Sequence, residues 1–291
     1  MRTQGLKRVM SIIAIGFTIG LVLVSCAPDI SKLADDENVS RLIKALSYRQ
    51  DADIRAQAAE ALGEIGDDDA VDPLIEAMRN DEEEDVREAA ALALDQFDED
   101  EIIQPLIESL TDESMAVQTA ARIALLDFED EAVEALIESF DNGDAVHQEK
   151  AINVLEQLEE FAIQPLIIAL SDADENIRSG AMAALTALET SVMPDLIQTL
   201  GTADEELQQE IIAVLSNNEE EAVQFLMEAL SGEDQEIADQ AKIALVLMGE
   251  TAVVPLINVL NDPDDQLVER AAAALTEIGE SEIELLVDSL I

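Results

Sequence analysis

One phrase recurs along this chain and limits what it can fold into. Leu-Ile-x-x-Leu, or a close variant, begins at Leu42, Leu74, Leu106, Leu136, Leu166, Leu196, Leu226, Leu256 and Leu286, often with Pro just before it. The spacings are 32, 32 and then 30 residues six times. A fixed period of this length marks an array in which each unit buries its apolar face only against its neighbours.

Between these phrases lies a second periodic segment with apolar positions at offsets 0, 4, 8 and 11, one face of an α-helix. The first slot runs Ile54, Val86, Val117, His147, Ile177, Leu207, Ile237 and Leu267. Ala fills the second slot throughout except at Ile211, and Leu fills the third from Leu62 to Leu275. The fourth holds Ile65, Phe97, Phe128, Leu158, Leu188, Asn218, Met248 and Ile278. Small residues allow close helix approach, so Ile211 is expected to push its neighbours apart. Three residues before the first slot stand Asp51, Glu83, Ser114, Asp144, Asp174, Asp204, Asp234 and Asp264. Asp and Ser oxygens accept from the orphan amides of a helix start, and Glu83 is the weak member of the set.

The pattern predicts an all-α solenoid, a right-handed superhelix of antiparallel helix pairs. Eight helix–turn–helix units are closed by a ninth first-type helix at 282–291. Gly63, Gly66, Gly143, Gly232, Gly249, Gly279 and Pro263 are expected in turns or at helix starts.

Over residues 38–291 this pattern resembles HEAT repeats, particularly the compact kind found in phycobilin lyases. The resemblance rests on the Pro-Leu-Ile helix start, the capped turn and the run Ile54-Arg55-Ala56-Gln57-Ala58-Ala59-Glu60-Ala61-Leu62. The family's Arg is retained at Arg55, Arg87 and Arg178 and replaced by Gln118, Gln148, Gln208, Ala238 and Val268. The Asp–Arg ladder that the resemblance implies is therefore incomplete. HEAT architecture also implies that the second-type helices line a concave surface.

Residues 1–25 combine a basic head (Arg2, Lys7, Arg8) with an apolar stretch, Val9 to Val24, too short for the roughly 20 residues of a spanning helix. They read as a secretory signal. Leu23-Val24-Ser25-Cys26 resembles the lipobox of prokaryotic lipoproteins, which implies cleavage before Cys26 and lipid attachment to it. Residues 26–37 then form a lipidated tether and 38–291 the solenoid. The chain is expected on the extracytoplasmic side, in the periplasm or at the cell surface, anchored to a membrane through Cys26.

Charge narrows the function classes. With 66 acidic and 15 basic residues the chain carries −51, which argues against nucleic-acid binding, because phosphate recognition needs Lys and Arg. A hydrophobic content of 48% separates it from disordered acidic chains. One His and one Cys cannot build a His/Cys zinc site, nor the several His–Glu pairs of a di-iron HEAT-fold hydroxylase. His147 is expected as a partly buried residue at a helix start. No Gly-rich phosphate loop or nucleophile–base pair is present, so no catalytic residue, metal or cofactor is expected. The acid runs lack the spacing of a Ca²⁺ loop and read as a solvated surface with diffuse cation binding. A surface of this kind suits a saline exterior.

Offsets 2, 6 and 9 of the second-type helix lie opposite its buried face. Only seven of these 24 positions are acidic and none is basic. The partner-binding candidates there are Glu88, Leu92, Thr119, Ile123, Leu126, Glu149, Asn153, Ile243 and Val246, and exposed apolar patches on a charged protein mark interaction sites. The expected function is a scaffold that binds an unidentified protein or peptide along this ridge, without catalysis. A lyase-like enzyme subunit or assembly factor and an acidic cation-binding surface protein are the alternatives. The apolar run Leu285 to Ile291 adds an expectation of self-association through the C-terminal helix.

Overall fold

The computed structural model describes residues 27–217 and 219–288, apart from the side chains of 219, 220 and 280–288. Cys26 and the end of the expected ninth helix lie outside the described residues. The fold is an all-α solenoid, with no strand among the described residues. The chain divides into two units, one ending at Phe97 and one beginning at Asp98.

The first unit holds α1 (Ile30–Asp35), α2 (Val39–Leu46), α3 (Ala52–Ile65), α4 (Val71–Asn80) and α5 (Glu84–Leu94). Helix α1 falls in the expected tether, and it is ordered by burial of Ile30 and by a cap from Asp29. Helices α3 and α5 lie against each other. Gly63, expected in a turn, is inside α3, and the turn falls at Gly66 instead. A Cβ at position 63 would come 2.8 Å from Ala93 Cα, so the glycine lets the two helices meet at the backbone.

The second unit has two layers. First-type helices are α6 (Ile103–Ser109), α8 (Glu129–Glu138), α10 (Glu159–Ala169), α12 (Met193–Leu200), α14 (Glu219–Ser231) and α16 (Glu250–Asn258). Second-type helices are α7 (Met115–Asp127), α9 (Ala145–Leu155), α11 (Glu175–Ala187), α13 (Glu205–Asn217), α15 (Gln235–Met248) and α17 (Asp265–Asp288). Each helix packs on its partner and on the like helix of the next repeat.

The apolar ladder carries the packing. The phrase leucines Leu42, Leu74, Leu106, Leu136, Leu166, Leu196, Leu226 and Leu256 are all fully buried. So are the third-slot leucines from Leu62 to Leu245, while Leu275 is half-buried. Full burial of one such side chain contributes about 1.5–3 kcal/mol before ordering entropy is subtracted. Ile211 is fully buried in the alanine slot. The expected caps form: Asp51, Ser114, Asp144, Asp174, Asp204, Asp234 and Asp264 each accept from an amide of the following turn, and Glu83 makes no such bond.

Three boundaries differ from expectation. Pro165 and Pro255 sit inside α10 and α16, which begin earlier, at Glu159 and Glu250. Helix α17 runs through Gly279, so the ninth helix does not start separately. In the same register Gly66, Glu129, Glu189 and Gly249 have positive φ, each just after a second-type helix has ended. A glycine inside a helix costs only about 1 kcal/mol relative to alanine, and no proline follows Pro263 to force a break.

In most repeats the residue after the first slot ties the turn to its helix. In the first unit Arg55 donates from Nε and Nη2 to the two Asp81 carboxylate oxygens, both at 2.7 Å, and from Nη1 to the Tyr48 carbonyl. Arg87 Nη1 donates to the Asp81 carbonyl at 2.9 Å. In the second unit glutamine takes over. Gln118 donates to the Asp112 carbonyl, Gln148 to Phe140, and Gln208 to Leu200 and Ala203, while Arg178 reaches the Asp172 and Ala173 carbonyls. Ala238 has no donor to offer, and Arg270 of α17 replaces it, donating to the Leu230 and Gly232 carbonyls at 2.6 and 3.1 Å.

The Arg55–Asp81 pair is mostly buried, with side chains 8% and 10% exposed. The hydrogen bond to Asp81 is the main cause that raises the Arg55 pKa further. For Asp81 burial is the largest single effect and pushes upward. The Arg55 hydrogen bond, the Glu83 amide and the charges of Arg55 and Arg87 together outweigh it, and the carboxyl sits below its ordinary range.

Candidate functional site

The second-helix layer presents the expected ridge residues in different ways. In the first unit, on α5, Leu92 is 44% exposed and Glu88 half-buried. In the second unit Ile123 on α7 and Ile243 on α15 are 43% and 39% exposed. Thr119, Glu149 and Asn153 are exposed, whereas Leu126 and Val246 are half-buried. The helical period explains the split, except at Glu88, which is half-buried at offset 2. Offsets 2 and 6 point away from the ladder, and offset 9 has begun to turn back toward it.

The structure brings two of these residues to one cavity. Thr119 of α7 and Asn153 of α9 line a space of about 270 Å³ together with Met115, Arg122, Lys150 and Gln157. Arg122 Nη1 donates to Gln157 Oε1 at 2.7 Å, and Gln157 Nε2 donates in turn to the Asn153 carbonyl at 2.8 Å. Leu126 lines an adjoining cavity of about 650 Å³ that shares Gln157 and carries Glu129, Glu159, Glu160 and Phe161.

Several surface features were not anticipated. Arg122 and Lys150 lie at offsets 5 and 3, outside the three offsets that define the ridge. Their signal in the sequence is that they are the only Arg or Lys between Asp98 and Ile177. Leu247, one turn from Ile243 on α15, is 62% exposed and extends that apolar spot. On the first-helix layer Val223, Met227, Pro255 and Val259 line a cavity of about 460 Å³, near the exposed Val254 and Ile257.

His147 is half-buried at the start of α9, and its Nε2 is buried without a hydrogen-bond partner among the described residues. No group of three or more His, Cys, Asp and Glu among the described residues is arranged to hold a metal ion. No helix among them is long and apolar enough to cross a membrane.

Stacked helix pairs, a 30-residue leucine ladder and capped turns define a helical-repeat protein. The family model for HEAT repeats matches residues 39–126, 71–156 and 163–246, and the chain belongs to the HEAT-repeat family. No curated protein matches it. Among solved structures, the chain is 23% identical to an engineered protein, covering 90% of this chain and 84% of that one with a TM-score of 0.30. Human deoxyhypusine hydroxylase in complex with glycerol is 20% identical, over 87% of this chain and 100% of that one, with a TM-score of 0.34. The karyopherin Kap121p bound to the extreme C-terminus of the protein phosphatase Cdc14p is 16% identical, over 82% of this chain and 33% of that one, with a TM-score of 0.31.

Proposed function

We propose that the protein is a membrane-tethered, extracytoplasmic scaffold of the compact, phycobilin-lyase-like HEAT kind. It binds a protein or peptide partner along its second-helix layer and carries out no catalysis. The observation that supports partner binding is the exposure of Ile123, Ile243 and Leu247 on helices whose opposite faces are fully buried. Large apolar side chains held in water on so charged a protein lower its free energy when a partner covers them.

The tether rests on residues 1–26, and the charge distribution supports it. Residues 27–49 carry four basic and four acidic residues, while residues 50–291 carry eight and 62. The neutral stretch directly follows Cys26, and its Lys32, Arg41 and Lys44 line a cavity of about 480 Å³. An anionic lipid surface attracts Lys and Arg near it and repels the acidic remainder, so this order of charge suits a chain anchored at Cys26.

The test is capture of native partners from envelope extract by wild type and by an Ile123→Asp/Ile243→Asp variant. Both positions are exposed, so the fold is retained, which circular dichroism checks. Loss of partners supports the ridge, and retention of every partner overturns it. Cys26→Ser should abolish incorporation of labelled fatty acid; unchanged incorporation would refute the lipid anchor.

A further inference from the structure

The cavity between α7 and α9 has a composition unlike the rest of the second unit. Two cations that stand 28 residues apart in sequence converge on it, and no carboxylate lines it. Arg122 is oriented by Gln157, which uses one of its five N–H donors. Lys150 has no hydrogen-bond or ion-pair partner among the described residues. The neutral groups are partly committed: Thr119 Oγ1 donates to the Met115 carbonyl at 2.8 Å, and the Asn153 and Gln118 amides each spend one of two N–H donors, on the Glu149 and Asp112 carbonyls, both at 2.7 Å. The charged donors in the cavity are the guanidinium and the ammonium. Leu110 and Met115, the latter 66% exposed, supply an apolar wall beside them.

We infer that this cavity receives a single Asp or Glu side chain of a bound peptide, with an apolar neighbour of that residue against Met115. The inference rests on the proposed reading of the second-helix layer as a partner-binding surface. Three observations select the occupant. An Arg–carboxylate pair is charge-assisted and directional, and the guanidinium is already positioned. A polyanion is disfavoured, because Glu129, Glu159 and Glu160 line the adjoining cavity and would repel further negative charge. A terminal carboxylate is characteristically caught in a nest of free backbone amides. Thr119, Arg122, Lys150 and Asn153 lie within helices, where the amides serve the backbone ladder.

The test uses the full chain in detergent and fluorescein-labelled peptides, blocked at both ends, with a central Glu flanked by Leu. A twin peptide carries Gln instead. Fluorescence anisotropy at 0.1 M salt should show the Glu peptide binding on the order of tenfold tighter than its Gln twin, a ratio equivalent to about 1.4 kcal/mol. The preference should shrink at 1 M salt, where the screening length falls to about 3 Å. It should vanish in Arg122→Gln/Lys150→Gln and persist in Lys150→Arg.

Equal binding of the two peptides, or binding of neither, overturns the inference. So does a Gln twin with a free C-terminus that binds as tightly as the Glu peptide. Failure here is separable from failure of the ridge. Equal peptide binding that is lost in Ile123→Asp leaves the ridge in place and removes only the carboxylate receptor.

Discussion

The two units solve one problem with different chemistry. Each turn between helices leaves carbonyls that need donors, and in both units the residue after the first apolar slot supplies most of them. The first unit uses Arg55 and Arg87, and fixes Arg55 with the buried carboxylate of Asp81. The second unit uses mainly Gln118, Gln148 and Gln208, which donate to the same class of carbonyl without adding charge. A buried ion pair is strong only while both partners remain, because either one alone is left as an uncompensated charge. A neutral amide that is lost costs one hydrogen bond. The ladder in the first unit is therefore the more fragile of the two to a single substitution or to acid.

The largest expected effect tests that contrast. Asp81→Ala should destabilise the first unit by about 3–5 kcal/mol, the cost of breaking a buried pair. Gln118→Ala should cost the second unit about 1 kcal/mol. Amide hydrogen exchange reads the units separately, and equal losses would erase the contrast. The acid response has a definite sign. The Asp81 carboxyl is held below its ordinary value in the folded chain, so its contribution is fully present above the ordinary carboxylate range. It is lost as pH falls through the depressed value. Asp81→Asn should thus flatten the acid limb of the exchange stability in the first unit; an unchanged slope would count against this assignment.

A smaller effect is expected at Arg270. Its removal to Ala should cost about 2 kcal/mol, within the range for hydrogen bonds to charged groups. Ala238→Gln in that background should recover part of the loss by restoring the donor that Gln208 provides one repeat earlier. If the double variant is no more stable than Arg270→Ala, the replacement of one donor by the other is wrong. The smallest effect is a gain. Glu129 holds φ at 45° without being glycine, and Glu129→Gly should stabilise the chain by about 1 kcal/mol in urea denaturation. A loss of stability there would mean that the Glu129 side chain contributes more than its backbone strain costs.

The parts of the fold governed by local rules were legible in the sequence. The leucine ladder and the caps follow from helical period and amide chemistry, and even the weak Glu83 cap is seen as an absent bond. Gly63 reads as a turn residue because glycine usually marks a turn, whereas its reason lies across space in the approach of Ala93. Gly279 misled for the opposite reason, since the register that breaks four other helices does not break α17. On the second-type helices, the exposure of Thr119, Ile123 and Asn153 was legible from the helical period. The cavity was not, because Arg122 and Lys150 approach it from two helices and from offsets between the ridge and the core.

The reach of Arg270 has a mechanical consequence. A solenoid pulled from its C-terminal end gives way one repeat at a time, and 30 residues released as extended chain lengthen it by roughly 100 Å. Helix α17 is pinned by a guanidinium to carbonyls at the end of α14, before the preceding second-type helix begins. Peeling it away must break those bonds together with its own packing against α15. The clasp therefore sits where force applied at that end would arrive first.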